Sequence, residues 1–69
     1  MPDSVYKVIE IVGTSSESWE KAALVAVERA SKTVRDLRVA EVVEQDLVID
    51  EGKATAFRTK LKVSFKFED

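Results

Sequence analysis

Hydrophobic and polar residues alternate most regularly near the end of the chain, from Ala54 to Phe67. Strict alternation over this length predicts a β-strand with one buried face. The face predicted to be buried consists of Thr55, Phe57, Thr59, Leu61, Val63, Phe65 and Phe67. The other face is mostly basic and consists of Arg58, Lys60, Lys62, Ser64 and Lys66. Such a basic face is either a solvated sheet surface or a contact for an anion such as phosphate.

A strand is also predicted near the start of the chain, over Val5–Val12, because this segment is rich in β-branched residues. Gly13 is predicted to end the strand, and the segment 13–16 to form the turn into a helix. Ser15 is the predicted N-cap of that helix. A glycine before a helix can also present backbone amides to an anion, but a plain N-cap is the simpler interpretation.

Helical spacing of apolar residues follows, from about Ser16 to Leu37. The predicted buried stripe consists of Trp19, Ala22, Ala23, Ala26, Ala30, Thr33, Val34 and Leu37. Most of these side chains are small, so a sheet could approach the helix closely and curve around it. Leu24 and Val27 flank the stripe and are predicted to be partly exposed and covered by neighbouring subunits.

The segment Arg38–Ile49 predicts a further strand, and the residues 50–53 predict a hairpin turn with Gly52 at a positive φ. Plain alternation puts one set of side chains on one face of this strand: Val39, Glu41, Val43, Gln45, Leu47 and Ile49. It puts the remaining set on the other face: Ala40, Val42, Glu44, Asp46 and Val48.

The composition limits how so short a chain can be stabilised. A chain of 69 residues accommodates one domain, predicted over residues 1–69, and an isolated domain of this size is marginal. Cysteine and histidine are absent, which excludes disulfides and the usual zinc ligands. Assembly of several copies, or a cation bound by oxygen ligands, is the expected compensation.

Charge and hydropathy argue against two kinds of partner, nucleic acid and membrane. The formal net charge is −2, which does not favour binding to nucleic acid. The apolar runs are too short for a signal peptide or a membrane span, so a cytoplasmic protein without a membrane partner is expected.

The sequence contains no pattern typical of an enzyme, because no histidine is available to activate the serine and threonine hydroxyls. Acidic residues crowd the predicted strand 38–49 and its turn. Glu41, Glu44 and Asp46 are candidate calcium ligands, since calcium prefers several carboxylate oxygens. Solvated carboxylates paired with the basic face of the last strand are the alternative. Trp19 is interpreted as a packing residue rather than a ligand-stacking one.

Several motifs resemble the dodecin family over about Val5–Glu68. They are the opening V-I-E-I-V-G-T-S, then Ala40-Glu41-Val42 and Leu61-Lys62-Val63-Ser64-Phe65. The resemblance implies an α+β fold: a β-α-β-β subunit whose three-stranded antiparallel sheet is partly wrapped around one helix. It also implies a hollow homododecamer of cubic symmetry.

The flavin-binding positions of that family fall here on Val39, Arg58, Asp46 and Lys66. The family's flavin binders have a stacking tryptophan where Val39 stands and a glutamine where Arg58 stands. They also have a basic residue where Asp46 stands, whereas Lys66 keeps its charge. The resemblance therefore predicts weak or absent flavin binding in this chain.

Other motifs resemble the calcium dodecin branch, whose members also lack the flavin tryptophan. They are Ser18-Trp19-Glu20, Arg38-Val39-Ala40 and Glu44-Gln45-Asp46. The expected function is a non-catalytic shell that binds or stores small ligands or ions, with calcium or another cation first. A flavin-storing shell and a purely structural shell are the alternatives.

Overall fold

The chain forms a strand, a helix and then two further strands, as the sequence predicts. A computed structural model describes residues 3–67. The elements are β1 (Tyr6–Ser15), α1 (Trp19–Ala30), β2 (Leu37–Asp50) and β3 (Lys53–Lys66). The strands form one antiparallel sheet in the order β1-β3-β2, so β3 lies in the middle. No helix within residues 3–67 is long and apolar enough to cross a membrane.

The helix packs on β1 and β3, and the core lies between them. Ala26 of α1 is buried against Leu61 and Val63 of β3, and Ala22 is buried where the helix meets β1 at Gly13. Partly buried side chains surround this core: Ile9, Ile11, Ala23, Val27 and Leu37. Small helical side chains allow the close approach that the alanine stripe predicts. Val27 therefore packs on the core of its own chain, whereas Leu24 is 68% exposed.

Gly13 does not end β1, as the sequence suggested, but continues it. The strand runs on to Ser15, and Gly13 lies opposite Thr59 in the middle strand. The glycine is there because α1 crosses β1 at this point. A Cβ atom on Gly13 would lie 2.0 Å from the backbone oxygen of Ala22 and 2.8 Å from the Cβ atom of Ala26. The residue therefore permits close packing and does not make a turn.

The N-cap of the helix is Ser18 rather than Ser15. The Ser18 Oγ accepts a hydrogen bond of 3.0 Å from the amide of Lys21. The Ser15 Oγ instead accepts one from the amide of Glu17, which tightens the turn between β1 and α1. The prediction placed the cap too early because it ended β1 at Val12.

The helix ends at Ala30 and not at Leu37. Beyond Ala30 the amides of Lys32 and Thr33 donate to carbonyls three residues earlier, so the chain tightens into turns. Asp36 then adopts a φ of 59°, which an α-helix cannot contain. Thr33 and Val34 lie in these turns, and Leu37 is the first residue of β2.

The two faces of β2 differ from plain alternation because the strand contains a β-bulge. Val42 lies opposite Leu61 and Glu44 lies opposite Lys60, so Val43 is an extra residue without a partner. Beyond it, Glu44, Asp46 and Val48 share a face with Val39 and Glu41. Gln45 and Leu47 share the helix-facing side with Ala40 and Val42. Further irregularities occur at Leu37/Val39 and at Val48/Ile49.

The hairpin turn has the conformation that the sequence predicts at Gly52, whose φ is 78°. Glu51 also has a positive φ, of 51°. Positive φ values at both central residues are typical of the tight turns that match the twist of a hairpin.

We predict that Gly13→Ala destabilises the protein strongly, because the new methyl group would overlap helix backbone that cannot move aside alone. Gly52→Ala is the matched control. Its site is open, so only the unfavourable φ costs stability, about 1 kcal/mol. Thermal unfolding at equal protein concentration measures both. Equal melting temperatures for the two variants would contradict the close approach of α1 to β1.

Candidate ligand-binding face of the sheet

The sheet face turned away from α1 carries most of the candidate functional residues. We call it the charged face. On β3 it consists of the predicted basic set from Arg58 to Lys66 at every second position. Because of the bulge at Val43, all three candidate calcium ligands lie on it too: Glu41, Glu44 and Asp46. On β1 it carries Tyr6, Val8, Glu10, Val12 and Thr14.

The acidic residues of β2 lie directly opposite basic residues of β3. Asp46 and Arg58 form a two-pronged ion pair, with Nε to Oδ1 at 2.8 Å and Nη2 to Oδ2 at 3.0 Å. Lys60 Nζ lies 3.6 Å from Glu44 Oε1. Each of these carboxylates of β2 thus faces a cation of β3, and opposite charges at directly opposed positions stabilise an antiparallel sheet.

A third row of this face has a different arrangement. Lys62 lies between Glu41 of β2 and Glu10 of β1 in the strand register. Within residues 3–67, Lys62 has no carboxylate oxygen within 4.0 Å. The row therefore leaves two carboxylates and one ammonium group accessible to solvent.

The Asp46–Arg58 pair shifts both of its titrations. The hydrogen bond from Arg58 holds the pKa of the Asp46 carboxyl below its ordinary value of 3.8, and the positive charge adds to the effect. In turn, the hydrogen bond to Asp46 raises the pKa of the Arg58 guanidinium. Both side chains are 46% exposed, so the pair makes only a small contribution to stability.

Trp19 fixes β2 next to this pair. The Trp19 Nε1–H donates a hydrogen bond of 3.0 Å to the backbone oxygen of Asp46. The Trp19 ring also packs edge-on against Phe57, with centroids 5.0 Å apart. The buried Thr59 hydroxyl donates to the backbone oxygen of Trp19 at 2.9 Å. These contacts connect the first turn of α1 to both strands that carry the ion pair. Trp19 therefore has a packing role in this chain.

The candidate calcium ligands do not form a metal site within one chain. Among residues 3–67, no three acidic side chains converge closely enough to hold a metal ion. Glu41, Glu44 and Asp46 lie along one strand with a cation opposite each one. Six to eight oxygen ligands for calcium would therefore have to include atoms from another copy, or from water.

The candidate flavin positions are also separated. Asp46 and Arg58 are in contact, but Val39 lies opposite Ser64, six positions along β3 from Arg58. At about 3.3 Å per residue this is about 20 Å. Lys66 lies two positions further on. One chain thus brings together two of the four positions, and an aromatic ligand touching all four would have to lie between copies.

Sequence reasoning missed two features of this face. The first is the bulge that brings Glu44 and Asp46 onto the same face as Glu41. Two adjacent valines, Val42 and Val43, are its only trace in the sequence, and they are typical of any strand. The second is the hydrogen bond from Trp19 to Asp46, which joins residues 27 positions apart and has no local signal.

Taken together, the fold and the face define a class: small α+β proteins in which one helix packs on a three-stranded antiparallel sheet with a charged opposite face. Comparison with known proteins makes this specific. The dodecin family model matches residues 5–68, and the chain therefore belongs to the dodecin family.

Comparison with individual proteins also finds dodecins. The chain is 57% identical to calcium dodecin of Mycobacterium tuberculosis over 63 residues, covering 91% of this chain and 89% of that protein. The crystal structure of that relative is described as a calcium-chelating antigen with a novel calcium-binding site. It superimposes on this chain with a TM-score of 0.83, and the match covers 94% of this chain and 93% of the relative's chain. Dodecin of Thermus thermophilus is 42% identical over 65 residues, 94% of each chain. Dodecin of Streptomyces davaonensis is 32% identical, with a TM-score of 0.90, over 99% of this chain and 100% of its own.

We predict that the Asp46 carboxyl titrates below its ordinary pKa and that Arg58→Gln returns the pKa toward that value. The pair stabilises the fold above the unfolded pKa, and this contribution disappears as the pH falls through the lower folded pKa. Carbon-detected NMR titration of the side-chain carboxyl measures this. Arg35→Gln is the control, and an unchanged Asp46 titration in Arg58→Gln would contradict the pairing.

Proposed function

We propose that this protein is a non-catalytic dodecin that forms a hollow homododecamer and binds a small ligand or ion, with calcium or another divalent cation as the first candidate. The observation that carries the proposal is the 57% identity to a calcium dodecin whose crystal structure is described as containing a calcium-binding site. The single domain over residues 1–69 is one subunit of this shell.

The surface of the isolated chain supports assembly. Val42 and Leu47, on the helix-facing side of β2, are 52% and 42% exposed, because α1 lies over β1 and β3 instead. Val8 and Val39 are also exposed, on the charged face. Apolar surface spread along a strand of this length is typical of a protein–protein contact. A chain of 69 residues also gains from assembly the stability that its small core lacks.

Assembly would also supply what a cation site lacks in one chain. The candidate ligands Glu41, Glu44 and Asp46 lie in a row on an exposed face of an edge strand. Rows from copies related by a symmetry axis could converge and provide the six to eight oxygen atoms that calcium takes. Arg58 and Lys60 then compete with the cation for the carboxylates that they pair with.

The alternative of flavin storage receives less support from the same residues. Val39 offers no aromatic ring for stacking, and Arg58 is already held in its pair with Asp46. Base–aromatic stacking contributes about 1–3 kcal/mol per ring, and a valine at this position forgoes it. A shell without any bound ligand is the structural alternative.

Native mass spectrometry of the protein, purified with calcium and again after chelation, tests this proposal. We expect a mass of twelve subunits with additional mass matching calcium, which the chelator removes. The triple variant Glu41→Gln, Glu44→Gln, Asp46→Asn is expected to lose the additional mass, whereas Glu28→Gln on the helix keeps it.

Three other outcomes would contradict parts of this proposal. A monomer or dimer would contradict the shell. A twelve-subunit mass carrying flavin would contradict the choice of a cation. Calcium retained by the triple variant would move the site away from the charged face.

A further inference from the structure

The two ion pairs of the charged face form one neutral group of charges, which we call the charge quartet. It consists of Glu44 and Asp46 on β2 and of Lys60 and Arg58 opposite them on β3. The hydrogen bond from Arg58 lowers the pKa of Asp46 most, and the charge of Lys60 lowers it further. The hydrogen bond to Asp46 raises the pKa of Arg58 most, and the charge of Glu44 adds to this effect. The charges therefore act on one another diagonally as well as within each pair.

Arg58 engages both carboxylate oxygens of Asp46. Its Nε lies 2.8 Å from Oδ1 and its Nη2 lies 3.0 Å from Oδ2. A divalent cation bound to either oxygen would lie next to the guanidinium, and the two positive charges would repel each other. Close binding of a cation therefore requires the side chain of Arg58 to move away. Because both side chains are 46% exposed, opening the pair costs little stability.

The side of Arg58 that faces away from Asp46 is free of acidic residues on β1. Arg58 pairs with Thr14 of β1, and Lys60 pairs with Val12. The acidic residue of β1 on this face, Glu10, lies two positions beyond Val12. A guanidinium that leaves Asp46 toward β1 thus meets the hydroxyl of Thr14 rather than a second carboxylate of that strand.

Binding of a divalent cation would also change the charge of the quartet. The quartet is neutral without a ligand, and it would gain both positive charges of the cation. Arg58 and Lys60 would then lie two positions apart on one face, with N–H donors released from their carboxylates. A planar guanidinium matches two oxygens of a phosphate group, and an ammonium group adds charge beside it. A phosphate dianion would restore neutrality, whereas chloride offers one charge and no pair of oxygens.

We propose that the charge quartet binds a divalent cation together with a phosphate-type dianion, and that each increases the affinity of the protein for the other. This inference rests on the cation binding proposed above and specifies how that binding is regulated. Without the anion, Arg58 competes with the cation for Asp46. The anion removes this competition because it holds Arg58 away from the carboxylate. By thermodynamic linkage, the cation raises the affinity for the anion by the same factor.

Calcium binding to the assembled protein tests the coupling, measured by isothermal titration calorimetry in chloride buffer and in phenyl phosphate at equal ionic strength. We expect phenyl phosphate to raise the calcium affinity at least about fivefold, the lower end of usual coupling between sites. Methyl phosphate in a third titration shows whether the phosphate group alone is sufficient or whether the larger ligand that carries it is required.

Arg58→Gln is the informative variant. It is expected to bind calcium more tightly than the parent in chloride, because the competing guanidinium is gone, and to lose most of the response to phenyl phosphate. Arg35→Gln is the matched control, since it removes the same charge from the segment between α1 and β2. It is expected to behave like the parent. Native mass spectrometry of each variant checks that the number of subunits is unchanged.

The failure of the coupling differs from the failure of the proposed function. A parent that binds calcium equally in all buffers would overturn the coupling and leave the cation site in place. A response to phenyl phosphate in Arg58→Gln as large as in the parent would also overturn the coupling. A protein that binds no calcium in any buffer would remove the proposed cation binding and the coupling with it.

Discussion

The extra residue in β2 determines on which side of the sheet the carboxylates of Glu44 and Asp46 lie. A regular ladder continued from Val42 would place Glu44 opposite Thr59, whose side chain is fully buried under α1. Glu44 would then lie where Gln45 lies now, on the exposed helix-facing side of β2 and away from Lys60. With Val43 as a bulge, Glu44 meets Lys60 and Asp46 meets Arg58 on the solvent side instead. The bulge thus brings the carboxylates of Glu44 and Asp46 onto the charged face, opposite the cations of β3.

Close packing of α1 on β1 and β3 sets the rest of the architecture. Gly13, Ala22 and Ala26 let the helix lie against one side of the sheet, and Trp19 ties its first turn to β2 at Asp46. The helix is too short to cover β2 or the hairpin beyond it. The isolated chain therefore leaves β2 and the end of the β2–β3 hairpin exposed, and the proposed assembly would cover such apolar edge surface.

The sequence predicted those elements whose signal is local. The alternation in β3 and the alanines of α1 identified the core and the basic face, because burial imposes period 2 on strands and 3.6 on helices. Gly13 misled the prediction because glycine serves both turns and close packing. The helix end was placed too late because Thr33, Val34 and Leu37 keep a helical spacing in the sequence although they lie in turns and at the start of a strand. The faces of β2 and the bond from Trp19 to Asp46 depend on tertiary register, which no short window contains. If the ligands of a cation come from several copies, the sequence of a single chain carries no local signal of how they converge.

Two single-residue deletions in β2, compared by thermal unfolding, test the role of the bulge most directly. Deleting Val43 removes the extra residue and leaves Glu44 opposite Lys60 and Asp46 opposite Arg58. Deleting Gln45 instead makes the ladder regular with Glu44 opposite the buried Thr59. We predict that the protein lacking Val43 unfolds close to the temperature of the parent, while the protein lacking Gln45 unfolds below it, because Glu44 no longer faces Lys60. Equal loss in both variants, or a greater loss on deleting Val43, would contradict the account.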